Sequence, residues 1–146
     1  MAEAQLALTC GGVAKEDLAY IAGFLDGEGS VFLTIYENKV GKKGLLNWVI
    51  FNNNNRPVLE WIQSKVGGKI NTKRRKIQGN RQTSYDLRIC TGIGVKRVLV
   101  ALLPYLKIKK NQAETALLLL NIHHRPRQGK HSSEYWRKLE TIINGI

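Results

Sequence analysis

The order of apolar and polar residues divides the chain into regular elements. From Lys15 to about Asp26 ("KEDLAYIAGFLD") apolar residues recur at helical spacing. Directly afterwards Val31, Leu33 and Ile35 alternate with Ser30, Phe32, Thr34, Tyr36 and Asn38, a period of two that predicts a strand. A "GKKG" turn at Gly41–Gly44 leads into a second strand from about Leu45 to Phe51. "NNNNRP" reads as a turn, and Pro57 opens a helix at its first position, where its missing N–H costs nothing; Gly67 and Gly68 stop it. Lys69–Lys76 and Thr83–Cys90 are two more strands, joined by the hairpin tip "QGNRQ". A helix over Gly94–Leu106 carries Pro104 near its end, and "NQAETALLLLNIHH" is another. After the basic loop "RPRQGK", Ser132 or Ser133 caps a last helix through Ile143.

Residues 1–14, small and polar, read as an N-terminal arm, and 15–146 as a single domain. The order αββαββαα plus a terminal helix predicts an α+β domain, with helices on one side of an antiparallel four-stranded sheet. In the third strand Asn71, Lys73 and Arg75 oppose Ile70 and Thr72; in the fourth Asp86 and Arg88 oppose Tyr85, Leu87 and Ile89. The second strand alternates ambiguously: with Leu46, Trp48 and Ile50 towards the core, Asn47 joins the open face and Asn52 faces the site. One sheet face thus packs on helices. The other carries amide, hydroxyl, aromatic and guanidinium groups, able to hydrogen-bond base edges and phosphates.

Charge decides what such a face meets. The chain has 23 Lys+Arg against 11 Asp+Glu, a net +12, which implies a polyanionic partner, nucleic acid or an anionic membrane surface. The excess is concentrated: Lys69–Lys110 holds twelve basic residues and one acid, Asp86, a net +11. No membrane role is expected, because the longest aliphatic run, "ALLLLNI", is far short of a span. The start of the chain has no secretory pattern, and Cys10 and Cys90 have no zinc-finger spacing to the three histidines. An intracellular location, cytoplasm or organelle matrix, without a disulfide is expected.

The first helix carries a further signal. Ala19, Gly23 and Gly27 recur every four residues, forming one stripe. Glycine inside a helix costs about 0.5–1 kcal/mol, and such a stripe allows close approach of another helix. With one such helix and no internal repeat, its partner is its own copy in a two-fold dimer.

Together, "LAYIAGFLDGEGS" and the αββαββ order resemble the LAGLIDADG homing endonucleases, sequence-specific nucleases encoded by mobile introns and inteins. "LLPYLKIKKNQAE" (Leu102–Glu114) is similar to the segment that follows the family's fourth strand, so the resemblance spans roughly residues 15–122. It implies a saddle-shaped sheet and, for a single motif, a homodimer with Ala19, Ala22, Gly23, Asp26 and Gly27 at its interface. It further implies that Glu28, helped by the Gly27 carbonyl, binds Mg²⁺ or another divalent cation such as Mn²⁺, hard ions that suit oxygen ligands. Lys109, or Lys107 two residues away, would order solvent around the attacking water. Asn52 or Asn53 would replace a glutamine that does this in the family. Asp26 is expected to brace the helix end.

On this resemblance the open face reads bases through Ser30, Phe32, Thr34, Tyr36, Asn38, Asn47, Asn71, Lys73, Arg75, Asp86 and Arg88, while Arg125, Arg127 and Lys130 meet phosphates. The implied activity is a metal-dependent double-strand cut, by phosphodiester hydrolysis, in a long, near-palindromic DNA target. Three alternatives are weaker. A maturase of the same fold would bind intron RNA without needing Glu28. A small basic structural protein gives no reason for the glycine stripe. A nuclease built on His123 and His124 fails because adjacent helical residues point about 100° apart.

Overall fold

The computed structural model describes residues 12–123 and 130–145. Most of the N-terminal arm, with Cys10, lies outside these residues, as do His124, Arg125 and Arg127. The elements are α1 (Lys15–Glu28), β1 (Gly29–Glu37), β2 (Lys43–Asn53), α2 (Arg56–Val66), β3 (Lys69–Ile77), β4 (Asn80–Ile89), α3 (Gly92–Leu102), a 3-10 turn (Leu103–Tyr105), α4 (Lys110–Ile122) and α5 (Ser133–Asn144). This is the expected α+β order.

Local chemistry sets the boundaries. Asn55 closes the asparagine run as a helix cap, its Oδ1 accepting from Val58 N at 3.0 Å. Thr91 Oγ1 accepts from Gly94 N, and Ser132, not Ser133, caps α5 through Tyr135 N. The helix expected to reach Leu106 stops at Leu102 and tightens into the 3-10 turn. Pro104 has no N–H to continue the α-helical ladder. The tip between β3 and β4 is also shorter than expected. Gln78 and Gly79 both have positive φ (52° and 81°), the two-residue turn that matches strand twist, so β3 and β4 extend almost to each other.

The four strands form one antiparallel sheet in the order β1-β2-β4-β3, with β1 and β3 at its edges. Val31 lies opposite Val49, Phe51 opposite Leu87 and Val49 opposite Ile89, and opposed residues share a face. That face packs on α1 through Leu18, Ile21, Ala22 and Leu25, on α2 through Leu59, Ile62 and Val66, and on α3 through Val95, Val98, Leu99 and Leu102. A smaller cluster of Leu119, Trp136 and Leu139 covers Leu33, Ile35 and Leu45. No described helix is long and apolar enough to cross a membrane.

The second strand is turned over relative to the sequence expectation. Val49 and Phe51 are fully buried, so Leu46, Trp48 and Ile50 take the open face. Asn47 follows Val49 and Phe51 inward. It is buried opposite Leu33, and its Nδ2 donates to the Ala116 carbonyl of α4 at 3.0 Å. Asn47 is therefore a core residue, not a base reader.

The passage from α1 into β1 has no linker, and Gly29 makes it possible. A Cβ there would lie 2.6 Å from the Ile50 carbonyl oxygen and 2.7 Å from a Leu25 methyl. Gly29→Ala is expected to destabilise the fold by about 1–3 kcal/mol, the usual cost of overpacking. Urea unfolding measures it, and an unchanged midpoint would contradict the close approach.

Candidate active site and nucleic-acid interface

Helix α1 has two distinct faces. Leu18, Ile21, Ala22 and Leu25 are buried in the core, whereas Ala19, Gly23 and Gly27 are exposed. A Cβ built at Gly23 or Gly27 meets nothing within 4 Å, so none of the described residues covers the stripe there. Ala22, expected at the dimer interface, is fully enclosed by its own chain and cannot face a partner. Its position, one residue from Gly23, turns it about 100° round the helix.

Asp26 is also claimed by its own chain. Its Oδ2 accepts from Lys107 N at 2.8 Å, its Oδ1 from Lys109 N at 2.9 Å, and its carbonyl from Lys109 Nζ at 2.6 Å. Expected to brace the helix end, the Asp26 carboxylate clamps the "KIK" segment to the end of α1. Burial acts to raise its pKa. The N–H groups of Lys107, Lys109 and Ile108, with the Lys109 charge, outweigh that and hold it below the usual aspartate value. The clamp brings the Lys109 ammonium to the end of the motif helix, within two residues of Glu28.

Glu28 is the last residue of α1 and is exposed. It lines an open hollow of about 730 Å³ together with Asn52, Asn53, Asn54, Arg75, Gln82, Thr83 and Ser84. Asn52 lines this hollow, where it was expected, but because Trp48 and Ile50, expected inward, share the open face with it. The setting of Glu28 is electrostatically one-sided. A helix C-terminus is its negative end, where the last carbonyls, including that of Gly27, lack helical partners. No ion pair among the described residues relieves the Glu28 carboxylate. A hard carboxylate beside terminal carbonyls is a donor set suited to a divalent cation. The described residues contain no cluster of three or more His, Cys, Asp or Glu side chains, so one chain supplies only part of a coordination shell.

The open sheet face carries most of the expected readers. Ser30, Phe32, Thr34 and Tyr36 lie on β1, Asn71, Lys73 and Arg75 on β3, and Arg88 on β4, all in register on that side. Phe32 and Trp48 pack at 6.0 Å between ring centres, and the Arg88 guanidinium lies 5.6 Å over Trp48. Tyr36 covers Gly44, its cross-strand partner, where any Cβ would collide with the ring. Two expected readers behave differently. Asn38 falls beyond β1, and its Oδ1 accepts from Val40 N and Lys42 N, bracing the β1–β2 turn. Asp86 is fully buried although it is on the open face, because Lys73 and Arg88 fold over it at 3.0 and 2.9 Å. Lys130, expected to meet phosphate, donates to the Val40 carbonyl at 3.4 Å.

Sequence reasoning missed Trp48 and Ile50 on this face, and it left Gln82 in the hairpin tip rather than on β4. Full burial of Val49 and Phe51 turns the first two outward, and the turn at Gln78-Gly79 sets the register of Gln82.

A family model described as LAGLIDADG endonuclease matches residues 21–112, well over half of the chain. The chain belongs to the LAGLIDADG endonuclease family. The homing endonuclease I-TnaI shares the fold at a TM-score of 0.64 and 22% identity, over 92% of this chain and 88% of that one. An archaeal intron-encoded homing endonuclease, I-Vdi141I, solved in complex with DNA, is similar at TM-score 0.61 and 18% identity, covering 89% of this chain and 96% of that one. The LAGLIDADG homing endonuclease I-LtrWI, bound to target DNA, gives a TM-score of 0.65 at 18% identity over 92% of this chain, which spans only 44% of that longer protein. No curated protein matches by sequence. The matched region of this LAGLIDADG endonuclease begins within α1 and includes Glu28 at its foot.

The Asp26 clamp has a measurable pH signature. With its folded pKa below the unfolded value of about 3.9, Asp26 stabilises the fold above that value, and the contribution is lost as pH falls through the depressed one. Asp26→Asn is expected to be less stable by about 1–2 kcal/mol at pH 7, with the difference shrinking towards pH 3. Denaturant unfolding at both pH values tests this; an equal difference at both would refute the charged clamp.

Proposed function

We propose that this LAGLIDADG endonuclease acts as a homodimer that makes a metal-dependent double-strand cut in a long, nearly palindromic DNA target. The observation that carries the reading is the hollow at the foot of α1. Glu28 and Asn52 line it from one protomer, while Ala19, Gly23 and Gly27 just above are exposed among the described residues. Pairing two such stripes brings two Glu28 carboxylates together, so each chain completes what the other lacks. Residues 15–146 would then act as one endonuclease unit with 1–14 as its arm.

DNA supplies the partner that the charge requires. Several of the similar structures are complexes with DNA, including I-CvuI with its target in the presence of 2 mM Ca. The two sheets would seat the duplex on either side of the cut, with Lys73, Arg75 and Arg88 meeting phosphates and bases. Glu28 and the Gly27 carbonyl would hold Mg²⁺ or Mn²⁺. When bound, the cation supplies a readily deprotonated water and charge stabilisation at the phosphate. Asn52, with neutral amide hydrogens, would orient the attacking water. Lys109, anchored on the Asp26 carbonyl, would hold positive charge and order solvent where charge develops.

Glu28→Gln tests the site: cleavage of the target is expected to fall at least roughly 1,000-fold, with DNA binding retained. Cutting at the wild-type rate would overturn the assignment. Gly23→Leu tests the axis. It should convert a two-chain particle into single chains by sedimentation, and an unchanged two-chain mass would rule out the helix contact.

A further inference from the structure

We propose that Asp86 is a positioning residue for base recognition, holding Arg88 against Trp48 so that the outer edge of its guanidinium reads a guanine. The inference rests on the sheet seating DNA and adds a residue and a base to that reading. Asp86 lies on the open face yet has no exposed surface. Its contacts converge on one oxygen: Arg88 Nε at 3.0 Å, Arg88 Nη2 at 2.9 Å and Lys73 Nζ at 3.0 Å all reach Oδ2. Oδ1 is buried with no hydrogen-bond partner among the described residues.

An exposed carboxylate could accept from a cytosine amino group, but Asp86 is fully buried and reaches no base itself. Buried under two cations it acts through them. Arginine has five N–H donors in a rigid fork. Two of those on Arg88 are engaged by Asp86, which fixes its plane, and the Trp48 ring 5.6 Å away supports one side of it. Of the three unengaged donors, one on Nη1 and one on Nη2 form a parallel pair along the outer edge, and Arg88 is one-third exposed. Guanine presents two acceptors, O6 and N7, at the spacing of that pair, whereas the other bases do not. The Asp86 charge also cancels one of the two cations. This favours directional hydrogen bonds to a base edge over undirected attraction to the backbone. Burial tends to raise the Asp86 pKa, but the hydrogen bonds and charges of Lys73 and Arg88 outweigh it, so Asp86 is ionised in the neutral range and the clamp is set.

The test is a binding selection from a randomised duplex DNA library, using the full chain and its Asp86→Asn, Arg88→Lys, Arg88→Ala and Asp86→Asn/Arg88→Ala variants. Wild type is expected to enrich guanine at one position in each half of its target. Asp86→Asn and Arg88→Lys should each weaken that preference by about ten- to a hundredfold, leaving other positions unchanged. The double variant should be no less selective than Arg88→Ala alone. Arg88→Lys keeps the charge at a partly exposed site, so its result stands even if Asp86→Asn fails to fold. If Asp86→Asn lowers binding to all sequences alike, or relaxes a position that Arg88→Lys leaves intact, the positioning role is refuted while the sheet's reading stands. A wild-type chain that enriches no sequence overturns both.

Discussion

The contact on which the candidate site depends is the grip of one carboxylate on a distant piece of backbone. Asp26 accepts from the N–H groups of Lys107 and Lys109, 81 and 83 residues away. Those groups fall between the 3-10 turn and α4, where no helix or strand ladder satisfies them. Hydrogen bonds to an ionised carboxylate are stronger than neutral ones, so the clamp fixes where α1 ends, where α4 begins and how the two ends meet. Lys109 is the residue that precedes α4, so the same carboxylate finishes one helix and starts another. Glu28 then projects from a rigid terminus, directly before a strand that is hydrogen-bonded into the sheet.

Two acids lie on the open side of the sheet and are treated in opposite ways. Asp86 is covered and neutralised by Lys73 and Arg88, whereas Glu28 is left exposed at the negative end of a helix. Burying an ion pair contributes little net stability, because desolvation offsets attraction. The Asp86 cluster is better understood as fixing geometry. The bare Glu28 carboxylate, by contrast, retains its capacity to bind a cation. On the same logic, α1 separates its duties by face, with large aliphatics inward and small residues outward, so one helix can serve the core and a partner at once.

Much of this was legible in the sequence. The element order followed from periodicity and turn residues, and the acid-glycine-acid-glycine run after a helical segment marked the candidate site. The failures have specific physical causes. Leu46, Trp48 and Ile50 are more apolar than Asn47, so composition put the wrong face of β2 inward; the choice was made by Val49 and Phe51 packing under α1 and α2, with the Ala116 carbonyl able to satisfy an inward amide. Ala22 and Ala19 look alike in sequence, and only the helix's rotation against the sheet tells them apart. Asp26 and Asp86 were recognisable as acids near the site, but their partners sit on other elements, or across a sheet whose register a sequence does not print.

The edge strand β3 has a consequence of another kind. Its unpaired backbone is a template to which a second strand could attach, the usual route by which open sheets associate into fibres. Lys73, Arg74, Arg75 and Lys76 run consecutively along it, so two such edges brought side by side would set four cations against four. Like charges so placed disfavour edge-to-edge pairing, and the same four residues present a cationic row to any polyanion.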